Sequence, residues 1–248
     1  MVDGFDDRLE FESSKRRDAA GLAADVALQQ ECWGVYRKLC AHNYEYQWSW
    51  MGVPIIQTPA DILVTQEIIW KARPQLIIET GVARGGSVLF YASLLELLGE
   101  GRVLGVDIDI RAHNRDTIET HPMSKRVDLL QGSSTAAEVL ESIYARAAKM
   151  DRVMVILDSN HTHEHVYAEL QALAPLVSVG QYLLVADTSV AYFPPLENRP
   201  RPWGPGDNPK TAMDAYLATT DRFERDAALN DKLVFTSSPG GYLRCIKP

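Results

Sequence analysis

Residues 75–87, Gln-Leu-Ile-Ile-Glu-Thr-Gly-Val-Ala-Arg-Gly-Gly-Ser, constrain the fold more than any other stretch. Leu76, Ile77 and Ile78 form an unbroken apolar run behind Pro74, the pattern of a strand covered on both faces in a parallel sheet. Glu79 closes that run, and Gly81, Gly85 and Gly86 follow, where the backbone can turn tightly and approach a ligand. Ser87 and the apolar positions Val88, Leu89, Phe90, Leu94, Leu95 and Leu98 then read as a helix. A strand entering a helix through glycines forms a cradle for a nucleotide-like ligand at the carboxyl edge of a sheet.

The spacing is Glu-Thr-Gly-x-x-x-Gly-Gly, not the G-x-G-x-x-G that supports a pyrophosphate. An acid just ahead of the first glycine suits a ligand carrying positive charge. S-adenosylmethionine, with an amino group and a sulfonium, is such a ligand. A plain strand-to-helix connection is the competing reading, and the rest of the chain decides between them.

The 248 residues fit one large α/β domain, or one domain with an extension, and 46% hydrophobic residues suffice for a sizeable core. A formal net charge of -8 argues against a nucleic-acid partner. No apolar run is long enough for a membrane span, and the start, Met-Val-Asp-Gly-Phe-Asp-Asp, is acidic and unlike a signal peptide. Cys32, Cys40 and Cys245 are odd in number and lack metal-site spacing, which fits a cytoplasmic chain with structural cysteines.

Residues 1–55 read as an N-terminal helical extension, separate from a Rossmann-like domain over 56–248. Charges crowd Asp6 to Asp18, a helical pattern covers 19–39, and Tyr44, Tyr46, Trp48 and Trp50 cluster after it. This extension is expected to be a cover or subunit contact, a lid whose aromatics wall a substrate pocket, or both; a homo-oligomer is expected. A helix is expected over 59–72. Strands follow at 75–79, 101–109, 126–131, 153–158 and 181–187, separated by helical segments, one of them at 136–149 with Ser134 or Thr135 as its cap. Alternation of this period implies right-handed crossovers and a mostly parallel, doubly wound α/β sheet. All strand carboxyl ends then share one edge, so Glu79, Asp107, Asp158 and Asp187 converge on one rim. An acid ending the second strand is placed to hold a ribose hydroxyl pair; Asp107 is the first candidate and Asp109 the second. The proline-rich connection over 188–209 leaves the same rim and is long enough for a functional lid. Asn208 and Pro209 read as the cap and first turn of a helix reaching Thr220. Residues 232–237 and 242–246, around Pro239-Gly-Gly, read as an antiparallel hairpin.

The arrangement resembles the class I S-adenosylmethionine-dependent methyltransferases. Glu79-Thr-Gly-Val-Ala-Arg-Gly-Gly-Ser87, Val106-Asp-Ile-Asp109, Gly132-Ser-Ser-Thr135, Leu157-Asp-Ser-Asn-His-Thr-His163 and Arg201-Pro-Trp-Gly-Pro-Gly-Asp-Asn-Pro-Lys210 are similar to the cephalosporin hydroxylase family, also grouped with rhamnosyl O-methyltransferases. The likeness runs from Tyr46 to the C-terminus. It implies methyl transfer to a hydroxyl of a small molecule, a sugar or glycosylated natural product, with relatives in antibiotic pathways. It further implies a divalent ion held by Asp158 and by an acidic pair after the fifth strand. Asp187 matches the second member of that pair; Ala186 stands where the first is usually Glu. Mg²⁺ accepts water in place of protein oxygens, so Asp158 and Asp187 are the expected metal ligands, with a site without metal as the alternative. His161 matches the general base, and Arg84 stands where many members carry His.

The implied roles are therefore His161 and Asp158 in catalysis, with Glu79, Gly81, Gly85, Ser87, Asp107, Ser133 and Asp158 at the cofactor. His163 and His165 are expected to face solvent or support the following helix. One rival is a non-haem iron hydroxylase built on His161, His163 and Glu164 with a further His; the other is a non-catalytic cofactor-binding partner protein, suggested by Ala186.

Overall fold

The computed structural model describes residues 7–194 and 200–248. The first six residues of the acidic start, and 195–199 within the proline-rich connection, lie outside the described residues. Two helices come first, α1 (Arg8–Ala24) and α2 (Val26–Cys40). The single helix expected over 19–39 is thus two, the first starting inside the charged segment. Asp25 separates them: its side chain accepts from the Leu28 amide at 3.0 Å and caps α2. α1 buries no residue, so its Arg, Glu, Lys and Ala content accounts for the helix, with no apolar stripe to reveal it.

The aromatic cluster forms a hairpin, β1 (Trp48–Trp50) and β2 (Val53–Ile55). Met51 and Gly52 turn it with φ of 47° and 89°, the positive pair that matches strand twist in a two-residue turn. Trp50 meets Phe90 edge-on at 4.6 Å and donates to Ser93 Oγ at 3.0 Å, which fixes the hairpin on the domain behind it. Helix α3 (Pro59–Ala72) follows, capped by Thr58 with Pro59 in its first turn.

Strand and helix then alternate: β3 (Leu76–Thr80), α4 (Gly86–Leu98), β4 (Arg102–Asp107), α5 (Ala112–Thr120), β5 (Val127–Gln131), α6 (Ala137–Ala147), β6 (Val153–Leu157), α7 (His163–Leu173), β7 (Tyr182–Val185) and α8 (Pro209–Leu217). Two strands end the sheet, β8 (Phe223–Arg225) and β9 (Tyr242–Cys245). The sheet order is β5-β4-β3-β6-β7-β9-β8, with β3 to β7 parallel and β8 and β9 antiparallel. Successive β3 residues feed opposite faces. Ile77 packs with side chains of α3 and α4, and Ile78 with those of α6, α7 and α8. The sheet is therefore the expected Rossmann-like, doubly wound, mostly parallel type with antiparallel strands at its C-terminal edge.

Two local expectations need correction. The hairpin partner of β9 is β8, not residues 232–237. That segment is held on α3 instead. The buried Asp61 carboxylate accepts from Thr236 Oγ1, from the Ser237 amide at 2.8 Å and from Ser237 Oγ at 3.0 Å, so polar side chains draw the chain off a strand path. The second concerns α6, whose N-cap is Ala136 with no side-chain cap. Ser134 Oγ donates to Glu169 at 2.5 Å, across the sheet's rim, and Ser133 Oγ lies 3.1 Å from Thr135 Oγ1.

The topology fixes where a ligand goes. From β3 the sheet grows outward through β4 and β5, then returns to the other side of β3 with β6. The helices that follow β3 and β6, α4 and α7, pack on opposite faces of the sheet at this switch point, which opens a crevice at the carboxyl edge.

Candidate active site

The crevice is a cavity built from three directions. The turn after β3 contributes Gly81 to Gly86 and Ser87; the ends of β6 and β7 contribute Asp158, Ser159, His161 and Asp187; the N-terminal segment contributes Glu45, Tyr46, Pro54, Ile56 and Gln57. Gly81 is required here. Its φ is 94°, and a Cβ on it would sit 2.0 Å from the carbonyl oxygen of Asp158. Only a bare backbone lets the β3 and β6 loops come this close. Gly86 does the same for α4 against the hairpin, where a Cβ would meet the Pro54 carbonyl at 2.2 Å.

Asp107 straps the turn. Its Oδ2 accepts from the amides of Val82 and Ala83 at 2.8 and 3.1 Å, and its Oδ1 from the Asp109 amide at 3.0 Å. Asp107 and Asp109 also line a groove with Arg84, Arg111 and Asn114. That groove shares Ile56, Ala83 and Arg84 with the main cavity, so one elongated ligand can lie along both.

Glu79 and Ser133 are not on the cavity wall. Glu79 is 0% exposed, and its carboxylate accepts from Ser87 Oγ at 2.8 Å and Tyr91 Oη at 3.1 Å behind the turn. Burial pushes its pKa up to about 8, against the lowering effect of those two hydroxyls. Ser133 stays at the end of β5 beside Thr135.

Among the described residues, Asp158, His161 and Asp187 bring ligand atoms within 4.8 Å of one another. This grouping depends on the parallel sheet, since β6 and β7 end side by side. Asp187 follows Ala186 with φ of 54°, so the chain leaves the strand path here and the carboxylate returns over the crevice. His161 Nε2 lies 3.2 Å from Asp187 Oδ2. Burial, aided by Arg201, holds the His161 pKa down to about 4, so at neutral pH the imidazole is uncharged and this contact is a hydrogen bond from a neutral ring. The Trp203 ring stands edge-on to it at 4.7 Å. Asp158 is driven well above the carboxylate range, first by burial and then by Asp187, Glu79, Glu45 and Glu169. Carboxylates crowded this way fit a divalent cation, which removes their mutual repulsion. The side chain of Ala186 offers no donor.

His163 and Glu164 do not join this group. His163 Nδ1 lies 2.9 Å from Thr211 Oγ1 and its amide donates to Asp207 at 2.5 Å, while Glu164 is exposed on α7. The iron triad of His161, His163 and Glu164 therefore does not assemble. His165 supports α7 as expected, with Nε2 3.4 Å from Glu169 Oε1.

Glu45 is the residue that motif reasoning passes over. It sits inside the aromatic cluster, one position before Tyr46, and only the docking of α2 and the hairpin brings it to the cavity. The same segment forms an aromatic cluster that is not on the cavity lining: Trp33 stacks on Tyr192 at 5.4 Å and meets Phe193 at 5.3 Å.

Residues 42–246 match the model of the family described as Rhamnosyl O-methyltransferase/CmcI. The chain belongs to this family. It is 34% identical over 202 residues to a rhamnosyl O-methyltransferase of Mycobacterium leprae, covering 79% of this chain and 82% of that protein. The rhamnosyl O-methyltransferase of Mycobacterium bovis BCG is 32% identical over 201 residues, covering 79% and 77%. A CmcI structure solved with Mg and S-adenosylmethionine superposes with a TM-score of 0.58 at 20% identity, covering 82% of this chain and 78% of that one. An apo CmcI structure gives 0.57 at 20% over the same shares, and the two together establish the shared fold.

Proposed function

We propose that this family member is an S-adenosylmethionine-dependent O-methyltransferase acting on a sugar hydroxyl of a glycosylated small molecule. The observation that carries the reading is the gathering of Asp158, His161 and Asp187 beside the glycine turn at the switch point. When bound, S-adenosylmethionine supplies an electrophilic methyl on its sulfonium. Gly81, Gly85 and Ser87 would seat its methionine end in the main cavity, and Asp107, which lines the adjoining groove, would hold the ribose. Glu79 acts from behind, through Ser87. Ser133 completes the carboxyl edge at β5.

An alcohol is a weak nucleophile until its proton leaves, so the chain must manage that proton. Asp158 and Asp187 would hold Mg²⁺, whose contribution is to lower the pKa of the acceptor hydroxyl. His161 is neutral at physiological pH and so can take the proton, and Asp187 orients its ring. Asp158, on the cavity lining at the end of β6, would serve both cofactor and acceptor.

Among the described residues no helix is long and apolar enough to cross a membrane. We place the enzyme in the cytoplasm and as a homo-oligomer through α1 and α2, which expose Leu9, Phe11, Val26 and Val35. The test is incubation with S-adenosylmethionine, Mg²⁺ and rhamnosylated acceptors, with release of S-adenosylhomocysteine as readout. Cofactor binding without release on any acceptor would support the non-catalytic partner reading instead.

A further inference from the structure

The cation site read from Asp158 and Asp187 is short of a carboxylate, because Ala186 contributes none. The lining of the same cavity carries one, outside the group whose ligand atoms lie within 4.8 Å of one another. Glu45 lies on the short helical turn Tyr44–Gln47, which enters through Asn43 at φ 52°. It is held in place: Tyr36, 0% exposed in α2, donates its hydroxyl to Glu45 Oε1. The end of α2 lies close by, since Glu45 and Asp187 both act on the Cys40 thiol. Glu45 is also among the charges that act on Asp158.

A glutamate held by a buried tyrosine, on the lining of the cavity that also holds Asp158, Asp187 and His161, has an evident use. We propose that Glu45 supplies the third carboxylate of the cation site, from the N-terminal segment and not from the sheet. The inference rests on the reading of Asp158 and Asp187 as cation ligands, and adds to it a residue that the strand-end motifs do not contain. Three carboxylates leave the doubly charged cation a site with one residual negative charge, in place of the near-neutral pair that Asp158 and Asp187 offer alone. A second consequence is mechanical. With Glu45 engaged, the cation ties α2 and the hairpin to the ends of β6 and β7, and so closes one wall of the cavity.

The experiment is a calorimetric titration of the full chain with Mg²⁺ in saturating S-adenosylhomocysteine, for wild type, Glu45→Gln, Glu45→Asp, Tyr36→Phe and Asp158→Asn. The proposal expects Glu45→Gln to bind Mg²⁺ about 10- to 100-fold more weakly, with its affinity for S-adenosylhomocysteine unchanged. Glu45→Asp and Tyr36→Phe should fall between it and wild type. Hydrogen exchange across residues 26–47 should slow on adding Mg²⁺ in wild type and not in Glu45→Gln. Equal Mg²⁺ affinity in wild type and Glu45→Gln, with binding lost in Asp158→Asn, overturns the role of Glu45 and leaves the Asp158 site standing. No Mg²⁺ binding by wild type overturns the cation reading and this inference with it. A Glu45→Gln variant that loses both ligands together, with Glu45→Asp and Tyr36→Phe at wild-type Mg²⁺ affinity and exchange in residues 26–47 insensitive to Mg²⁺, shows a merely structural role and also overturns it.

Discussion

Replacing Glu79 by Gln should change how stability depends on pH. Glu79 is wholly buried, and burial lifts its pKa from the ordinary 4.5 to about 8. Between those values the folded chain keeps a proton that the unfolded chain has released. Unfolding therefore releases a proton, and stability falls as pH rises through this window. Below about 4.5 both states are protonated and above about 8 both are ionised, so the slope vanishes at either end. One pKa unit is about 1.4 kcal/mol, so ionising the buried carboxyl costs up to about 5 kcal/mol. Gln keeps the size; its carbonyl oxygen can accept from one of the two hydroxyls that contact Glu79, while its amide nitrogen donates to the other. Urea unfolding of the ligand-free chain at pH 5, 6, 7 and 8 measures the effect. Wild type and Glu79→Gln should agree within about 1 kcal/mol at pH 5, and by pH 8 the variant should be several kcal/mol more stable. The difference between the two curves reports Glu79 together with its charge coupling to Asp158. A stability difference that does not vary with pH would falsify the assignment of Glu79 as a proton-holding carboxyl.

Other expectations follow from single contacts. Gly81→Ala should lose S-adenosylmethionine binding and at least about 3 kcal/mol of stability, read by calorimetry and denaturant melts, because its Cβ would collide with the Asp158 carbonyl. Asp61→Ala should cost about 3–5 kcal/mol by the same melts, since Thr58, Thr236, Ser237 and Tyr242 all donate to that buried carboxylate. His161→Ala should lower kcat about 10²- to 10⁴-fold with little change in cofactor affinity. The acid limb of kcat/KM should not show a group near 6.5 from His161, whose pKa is held down to about 4.

The elements that position the site were legible where local pattern and topology agree. The apolar run of β3 and its glycines specify the turn without help from the rest of the chain. The convergence of Asp158 and Asp187 needs only parallel strands, because neighbouring strands then end on one rim. Contacts set by packing between distant segments were not legible. Ser134 finds Glu169, 35 residues away, in place of a helix cap. Thr236 and Ser237 find Asp61, which takes residues 232–237 out of the sheet. Glu45 reaches the cavity only because Tyr36 and the hairpin carry it there. Glu79 shows the converse: its place in the motif was readable, but whether it meets the ligand or supports the turn depends on Tyr91, a residue of α4 that no strand-end motif includes.

The most direct test of the central claim is calorimetric titration of the chain with S-adenosylmethionine, in EDTA and in added Mg²⁺, alongside Asp158→Asn. The account predicts saturable cofactor binding in both conditions, and a separate Mg²⁺ binding event that Asp158→Asn removes. Absence of cofactor binding in every condition would contradict it.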